Sequence, residues 1–213
     1  MKEMTQIQYI KTFIHLDLNK LTIKDIIKAL SSLMFLLGKR DDTIKVRTFS
    51  GGSKRISDDR YNKHYYDSPT CAKNSVVITS VLEAKEGHDV DIIDIPGTYL
   101  HTYVYKHGKQ NVIILFKGKL VEIIIMVYPK LYWKCVSYDS IGNAMFYVEI
   151  NKSLYGLLQS ALFFNKKLRK DLKASGFVIN PYDLCVANAM IESHQMTVTW
   201  HVDNLKVSHK DPY

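Results

Sequence analysis

Apolar residues recur at Ile23, Ile26, Ile27, Leu30, Leu33, Met34 and Leu37. Steps of three and four place them on one helical face, and Gly38 supplies a stop, so a helix is expected from Ile23 to Leu37. Thr22-Ile23-Lys24-Asp25 resembles a capping box, with Asp25 where Glu is preferred. Residues 1–21 show no clean period and read as a lead-in. Thr43 to Phe49 alternates as a strand that puts Lys45 and Arg47 on one face. Residues 56–67 read as a loop. Ser68-Pro69-Thr70 leads into a helix through Val76, Val77, Val81, Leu82 and Ala84, closed by Gly87.

Asp89-Val90-Asp91-Ile92-Ile93-Asp94-Ile95 alternates and then turns fully apolar, as a buried central strand would, and Pro96-Gly97 ends it. Val112 to Phe116 reads as a strand, Leu120 to Val127 as a short helix, and Phe146 to Ile150 as a strand. The stretch from Leu154 to Ala161 opens a further helix, whose face runs Ala161, Phe164, Leu168 and Leu172, with Gly176 as its cap. Val178, Ile179 and Leu184 to Met190 are extended, around a turn at Asn180-Pro181-Tyr182-Asp183. Met196 to His209 is rich in β-branched and apolar residues on both sides of Asp203-Asn204, which is turn chemistry. A β-hairpin with Asp203 at its tip follows.

A carboxylate at a hairpin tip is ordinarily a solvated turn residue. The sharper reading aims it into a cleft to hold a metal, which needs a second carboxylate. Asp94 supplies one, because an acid ending a buried strand is costly unless paired, hydrogen-bonded or metal-bound. With both residues present, the metal reading is favoured.

Composition narrows the partners. The chain has 213 residues, 46% of them apolar, so it can bury a core and is neither a disordered tail nor a collagen-like polymer. A net charge of +8, spread along the chain, favours polyanionic partners, nucleic acid first. Lys166, Lys167, Arg169, Lys170 and Lys173 make one helix strongly basic. Such a face is usually just solvated; beside a nucleic-acid groove it would contact the backbone. Cys71, Cys135 and Cys185 lie far apart without a Cys-x-x-Cys pair. This argues against a usual zinc site and suits a reducing, intracellular compartment. No run approaches the length of a membrane span, and no signal core opens the chain.

Taken in order, these segments resemble the reverse transcriptase of copia-type LTR retrotransposons. The resemblance rests on Lys45-Val46-Arg47, Ser68-Pro69-Thr70, Asp94-Ile95-Pro96-Gly97-Thr98-Tyr99-Leu100, Leu154-Tyr155-Gly156-Leu157-Leu158-Gln159, Gly176-Phe177 and His201-Val202-Asp203-Asn204. It covers residues 33–213, leaving 1–32 as a lead-in with the start of the first helix. Each motif is weak alone; six in order are specific. The resemblance implies an α+β fold with fingers and palm, the palm an antiparallel sheet backed by helices. It implies an RNA-directed DNA polymerase that takes dNTPs and an RNA or DNA primer–template. Asp94 and Asp203 would hold two Mg²⁺ ions. Tyr99 would stand against the sugar, where its bulk excludes a 2′-hydroxyl, or be an ordinary buried Tyr. Gly156 would allow close approach of nucleotide or template, and Lys45 and Arg47 would grip the triphosphate.

Several positions depart from the family. Asn204 stands where the hairpin has its second Asp, Thr98 where it has a small Ala, Arg55 where a Gln follows the Gly-rich turn, and Ala161-Leu162 where Pro-Arg is common. No thumb, RNase H, protease or integrase region follows the hairpin, which suggests a truncated, drifting piece of a polyprotein in a cytoplasmic particle or the nucleus. Two alternatives stand beside an active or weakened polymerase: a catalytically dead remnant that only binds nucleic acid, and a fragment that does neither.

Overall fold

The computed structural model describes residues 11–38, 44–51, 67–104 and 112–210, with backbone alone over 34–38 and 44–49. In chain order the elements are β1 (Phe13–Leu16), α1 (Ile23–Lys28), β2 (Leu30–Gly38), β3 (Ile44–Ser50), α2 (Lys73–Glu86) and β4 (Asp89–Asp94). Then come β5 (Ile113–Lys117), α3 (Lys119–Val127), α4 (Pro129–Tyr132), β6 (Ser137–Tyr138) and β7 (Ala144–Ile150). The last are α5 (Ser160–Ala174), β8 (Val178–Ile179), β9 (Val186–Ile191), β10 (His194–His201) and β11 (Asn204–His209). The class is α+β, with two sheets. Two compact units share the chain: Met1–Lys63 with Tyr99–Ser160, and His64–Thr98 with Ala161–Tyr213.

The first unit holds a mixed sheet in the order β1-β7-β5-β2-β3, with β6 also on β7. Among the described residues of this sheet, only the β2–β5 pairing is parallel. Its core is aromatic and aliphatic: Phe116 stacks on Phe146 at 5.1 Å and takes the edge of Phe13 at 5.3 Å between ring centroids. Helix α3 turns Val121 and Ile124, one turn apart, into the same cluster. Fully burying one such side chain stabilises by about 1.5–3 kcal/mol, so this cluster dominates the unit's energetics.

Two expectations fail here. The helix expected from Ile23 to Leu37 ends at Lys28, and Leu30 begins a nine-residue strand. The capping box does form: the Asp25 N–H donates to the Thr22 hydroxyl at 3.2 Å, and the Thr22 N–H to Asp25 Oδ2 at 3.0 Å. The apolar period behind it is not a buried face, since Ile23 and Ile27 are each 77% exposed. Pairing of β2 with both β3 and β5 outweighs the local period, as tertiary context commonly does. The lead-in also contains a strand, β1, which no local signal marks because its stability comes from β7.

The second unit holds an entirely antiparallel sheet in the order β4-β11-β10-β9-β8. Trp200 and Val198 on β10, Ala187 on β9, and Phe163, Phe164 and Leu168 on α5 are buried. Helix α2 ends as expected, with Gly87 at φ +68°. Its N-terminus is capped from a distance: Asp183 Oδ2 accepts from the Ala72 N–H at 2.9 Å and from the Cys71 thiol at 3.6 Å. Further along, Glu83 is buried and takes the Lys206 ammonium of β11 at 2.9 Å, beside Thr79 and Ser80.

Strand β4 is not the buried central strand that was expected. It is the sheet's edge, and all six of its residues are exposed. The physical reason lies in its composition: alternate Asp residues are tolerated on an edge, where charge deters further strand addition.

Candidate active site

The hairpin and β4 meet as neighbours in the second unit. The register pairs Asn204 with Asp94, and the Ile95 N–H donates to the Asp203 carbonyl at 3.1 Å. That hydrogen bond makes 95/203 a bonded position, so Asp94 and Asn204 form the adjacent non-bonded pair. In such pairs the Cα atoms lie about 4.5 Å apart, and the side chains stand on the same face. The hairpin's two-residue loop is Val202-Asp203, not Asp203-Asn204: His201 pairs with Asn204, which therefore begins β11. The strand register fixes this, and it turns the 204 side chain onto the sheet face beside Asp94.

Val202 adopts φ +59° at the first loop position. A β-branched residue there is strained, and strain of this kind costs of order 1–3 kcal/mol. It goes with the tight loop that brings Asp203 next to β4. Sequence reading missed it, although a two-residue loop between two fixed registers leaves its first residue little choice.

Asp94 and Asn204 are exposed and Asp203 half-buried, so solvent and ligands reach all three. The earlier reason for suspecting Asp94, the cost of a buried carboxylate, does not apply. What singles it out is its position opposite the hairpin. The Asn204 amide donates to Asp203 Oδ1 at 3.3 Å. An Asp at 204 would place like charge directly opposite Asp94, which is destabilising unless a cation lies between them. Asn removes that repulsion. The donor set of two carboxylates and an amide carbonyl oxygen is hard and suits Mg²⁺, which keeps several waters and takes one or two carboxylates. Among the described residues, no group of three or more His, Cys, Asp or Glu is placed to hold a metal ion.

Tyr99, Gly156, Lys45 and Arg47 lie in the first unit. Tyr99 is half-buried in a 3-10 turn, its ring edge-on to Tyr155 at 4.8 Å. Gly156 follows, at φ +82°, and a Cβ there would stand 2.3 Å from the Ser50 carbonyl oxygen. The Ser50 N–H donates to the Tyr155 carbonyl at 2.9 Å. The close approach that Gly156 permits here is to the end of β3. Tyr155 was not singled out earlier, although it sits inside the Leu-Tyr-Gly motif. Lys45 and Arg47 lie on β3 opposite Leu37 and Phe35; their side chains fall outside the described residues, as does Arg55 entirely. Thr98 is buried and its hydroxyl donates to the Ile95 carbonyl at 2.5 Å, closing the turn after Asp94.

Burial works against the thiolate form at all three cysteines. Burial first, and then the Asp183 carboxylate, push Cys71 up to about 12, and burial pushes Cys185 up to about 11. Asp183 itself is held low: its burial works against the ionised form, but hydrogen bonds from Ser75, the Ala72 and Cys185 N–H groups and Cys71 outweigh it. Among the described residues, no helix is long and apolar enough to cross a membrane. No protein-family model and no curated protein matches the chain.

Proposed function

We propose that the chain is a fingers-and-palm piece of a copia-type reverse transcriptase, with Asp94, Asp203 and Asn204 at the centre of an RNA-directed DNA polymerase site. The observation that carries this reading is the pairing of β4 with the Asp203 hairpin. It brings carboxylates from the two sequence segments of the second unit to one edge of an antiparallel sheet. Mg²⁺ bound there supplies activation of a primer 3′-hydroxyl and neutralises charge on the triphosphate. Asp94 and Asp203 would hold and orient the ions, and Asn204 would offer a neutral oxygen where a third carboxylate would add charge. By the resemblance, Tyr99 would select the sugar, and Lys45 and Arg47 would grip the triphosphate.

A second reading keeps nucleic-acid binding and discards catalysis; Asn204 favours it, because it removes one negative charge from the ion site. Primer extension with an RNA template, a DNA primer and Mg²⁺ or Mn²⁺ separates the two. On the first reading the chain incorporates dNTPs, and Asp94→Ala or Asp203→Ala abolishes incorporation without unfolding the protein. A variant that extends primer like the parent contradicts the assignment of that residue. A folded parent that binds primer–template and never extends it leaves the second reading.

A further inference from the structure

Helix α5 carries cations at two kinds of position. Lys167 lies four residues before Asp171, and the two form an ion pair. Lys166, Arg169, Lys170 and Lys173 fall elsewhere: at 3.6 residues per turn they share a stripe about 100° wide. The stripe runs about 10 Å along the helix axis, from Lys166 to Lys173, at 1.5 Å per residue. Three of its members are exposed and Arg169 is half-buried. No acidic side chain of the helix lies on the stripe. Its residues line an open surface hollow of about 390 Å³. Among the described residues the Arg169 guanidinium Nε, which is covered from solvent, has no hydrogen-bond partner, a costly arrangement.

We infer that this stripe is a docking surface for the phosphodiester backbone of a nucleic acid, independent of the carboxylates at Asp94 and Asp203. The scale is right: a duplex strand carries one phosphate for about every 3.4 Å of its axis, so a stripe about 10 Å long can meet two or three of them. Arg169 gives the planar donor that suits a phosphate, and the three Lys residues give point charges around it. A membrane surface fits less well. Helices that lie on membranes set aliphatic or aromatic residues beside their cations. On α5 the large apolar residues Phe163, Phe164 and Leu168 are turned into the core, 4%, 4% and 9% exposed. The stripe reads no bases, so it binds without sequence preference.

The test measures binding of a fluorescent duplex in EDTA, so that a failure of the metal site cannot affect it. The parent is compared with Lys166→Gln/Lys170→Gln/Lys173→Gln and with Lys167→Gln as the off-stripe control. Glutamine keeps helix propensity close to that of lysine, so the fold should survive. Each phosphate contact contributes about 0.9 to the slope of log affinity against log salt. The triple variant should therefore lose about 2.7 of that slope, and Lys167→Gln little of it. In the parent, duplex should also protect Lys166, Lys170 and Lys173 from an amine-acetylating reagent, a readout that needs no variant. An unchanged slope in a folded triple variant, or acetylation indifferent to duplex, overturns the inference. So does binding to anionic phosphatidylserine vesicles or poly-glutamate that equals duplex binding at matched charge.

Discussion

Replacing Asn204 by Asp changes one charge at a site whose geometry is set by strand register. Asp94 lies directly opposite, and Asp203 is the adjoining residue. Two unit charges about 5 Å apart in water repel by about 0.8 kcal/mol, and the exposure of Asp94 and Asn204 puts the pair near that limit. Asp203 adds a smaller share. Asn204→Asp should therefore destabilise the metal-free protein by about 1 kcal/mol, a fall in midpoint of about 2–4 °C for a chain of this size. Millimolar Mg²⁺ should restore it, and should stabilise the parent less. The same charge should help catalysis. At an effective dielectric near 20 and about 4 Å, a charge pair is worth about 4 kcal/mol. If half reaches the transition state, incorporation rises roughly thirtyfold. Thermal unfolding with and without Mg²⁺, run beside primer extension, reads both effects. A variant as stable as the parent without metal, unmoved by Mg²⁺, would refute the convergence of charge at this edge. Equal primer–template binding with measurable parental activity and no gain in rate would refute the catalytic half.

Three further outcomes follow from the packing. Gly156→Ala puts a Cβ against the Ser50 carbonyl oxygen at a positive φ, so it should cost at least about 1–2 kcal/mol from the backbone alone, seen as a lower urea midpoint. Lys206→Met leaves Glu83 buried without its cation, and one-sided removal of this kind costs about 3–5 kcal/mol; adding Glu83→Gln should recover part of it in a double-mutant cycle. Asp139 is held well below the usual carboxylate range, first by the Lys117 ammonium and then by the Asn143 N–H and side-chain amide. Because its folded value is depressed, the stability it gives is complete above the unfolded value of about 3.9 and disappears as pH falls through the folded one. Asp139→Asn should thus flatten the decline of the urea midpoint below about pH 4.

The hairpin was legible because Met196–His201 and Leu205–His209 are each rich in strand formers and the residues between them turn easily. The strand character of β4 was legible for the same reason, but not its place at the edge. Edge or centre depends on which strands lie alongside, and nothing within Asp89–Asp94 encodes the absence of a second neighbour. The Ile23–Leu37 stretch satisfies a helical period and an extended run equally well, and β3 and β5 decide between them. Gly156 was recognisable as a required glycine. Its partner was not, because Ser50 is distant in sequence and meets it only in the folded sheet. The Asp94–Asn204 pairing depends on a register fixed by a loop one residue earlier than composition suggests.

Titration of Mn²⁺ followed by electron paramagnetic resonance, on the parent and on Asp94→Ala, tests most directly whether the β4–hairpin edge is an ion site. The parent should bind Mn²⁺ at a site that competes with Mg²⁺, and the variant should lose that site while its thermal unfolding in the absence of metal is unchanged or improved. Identical Mn²⁺ binding by the two folded proteins would contradict the assignment of Asp94 as an ion ligand.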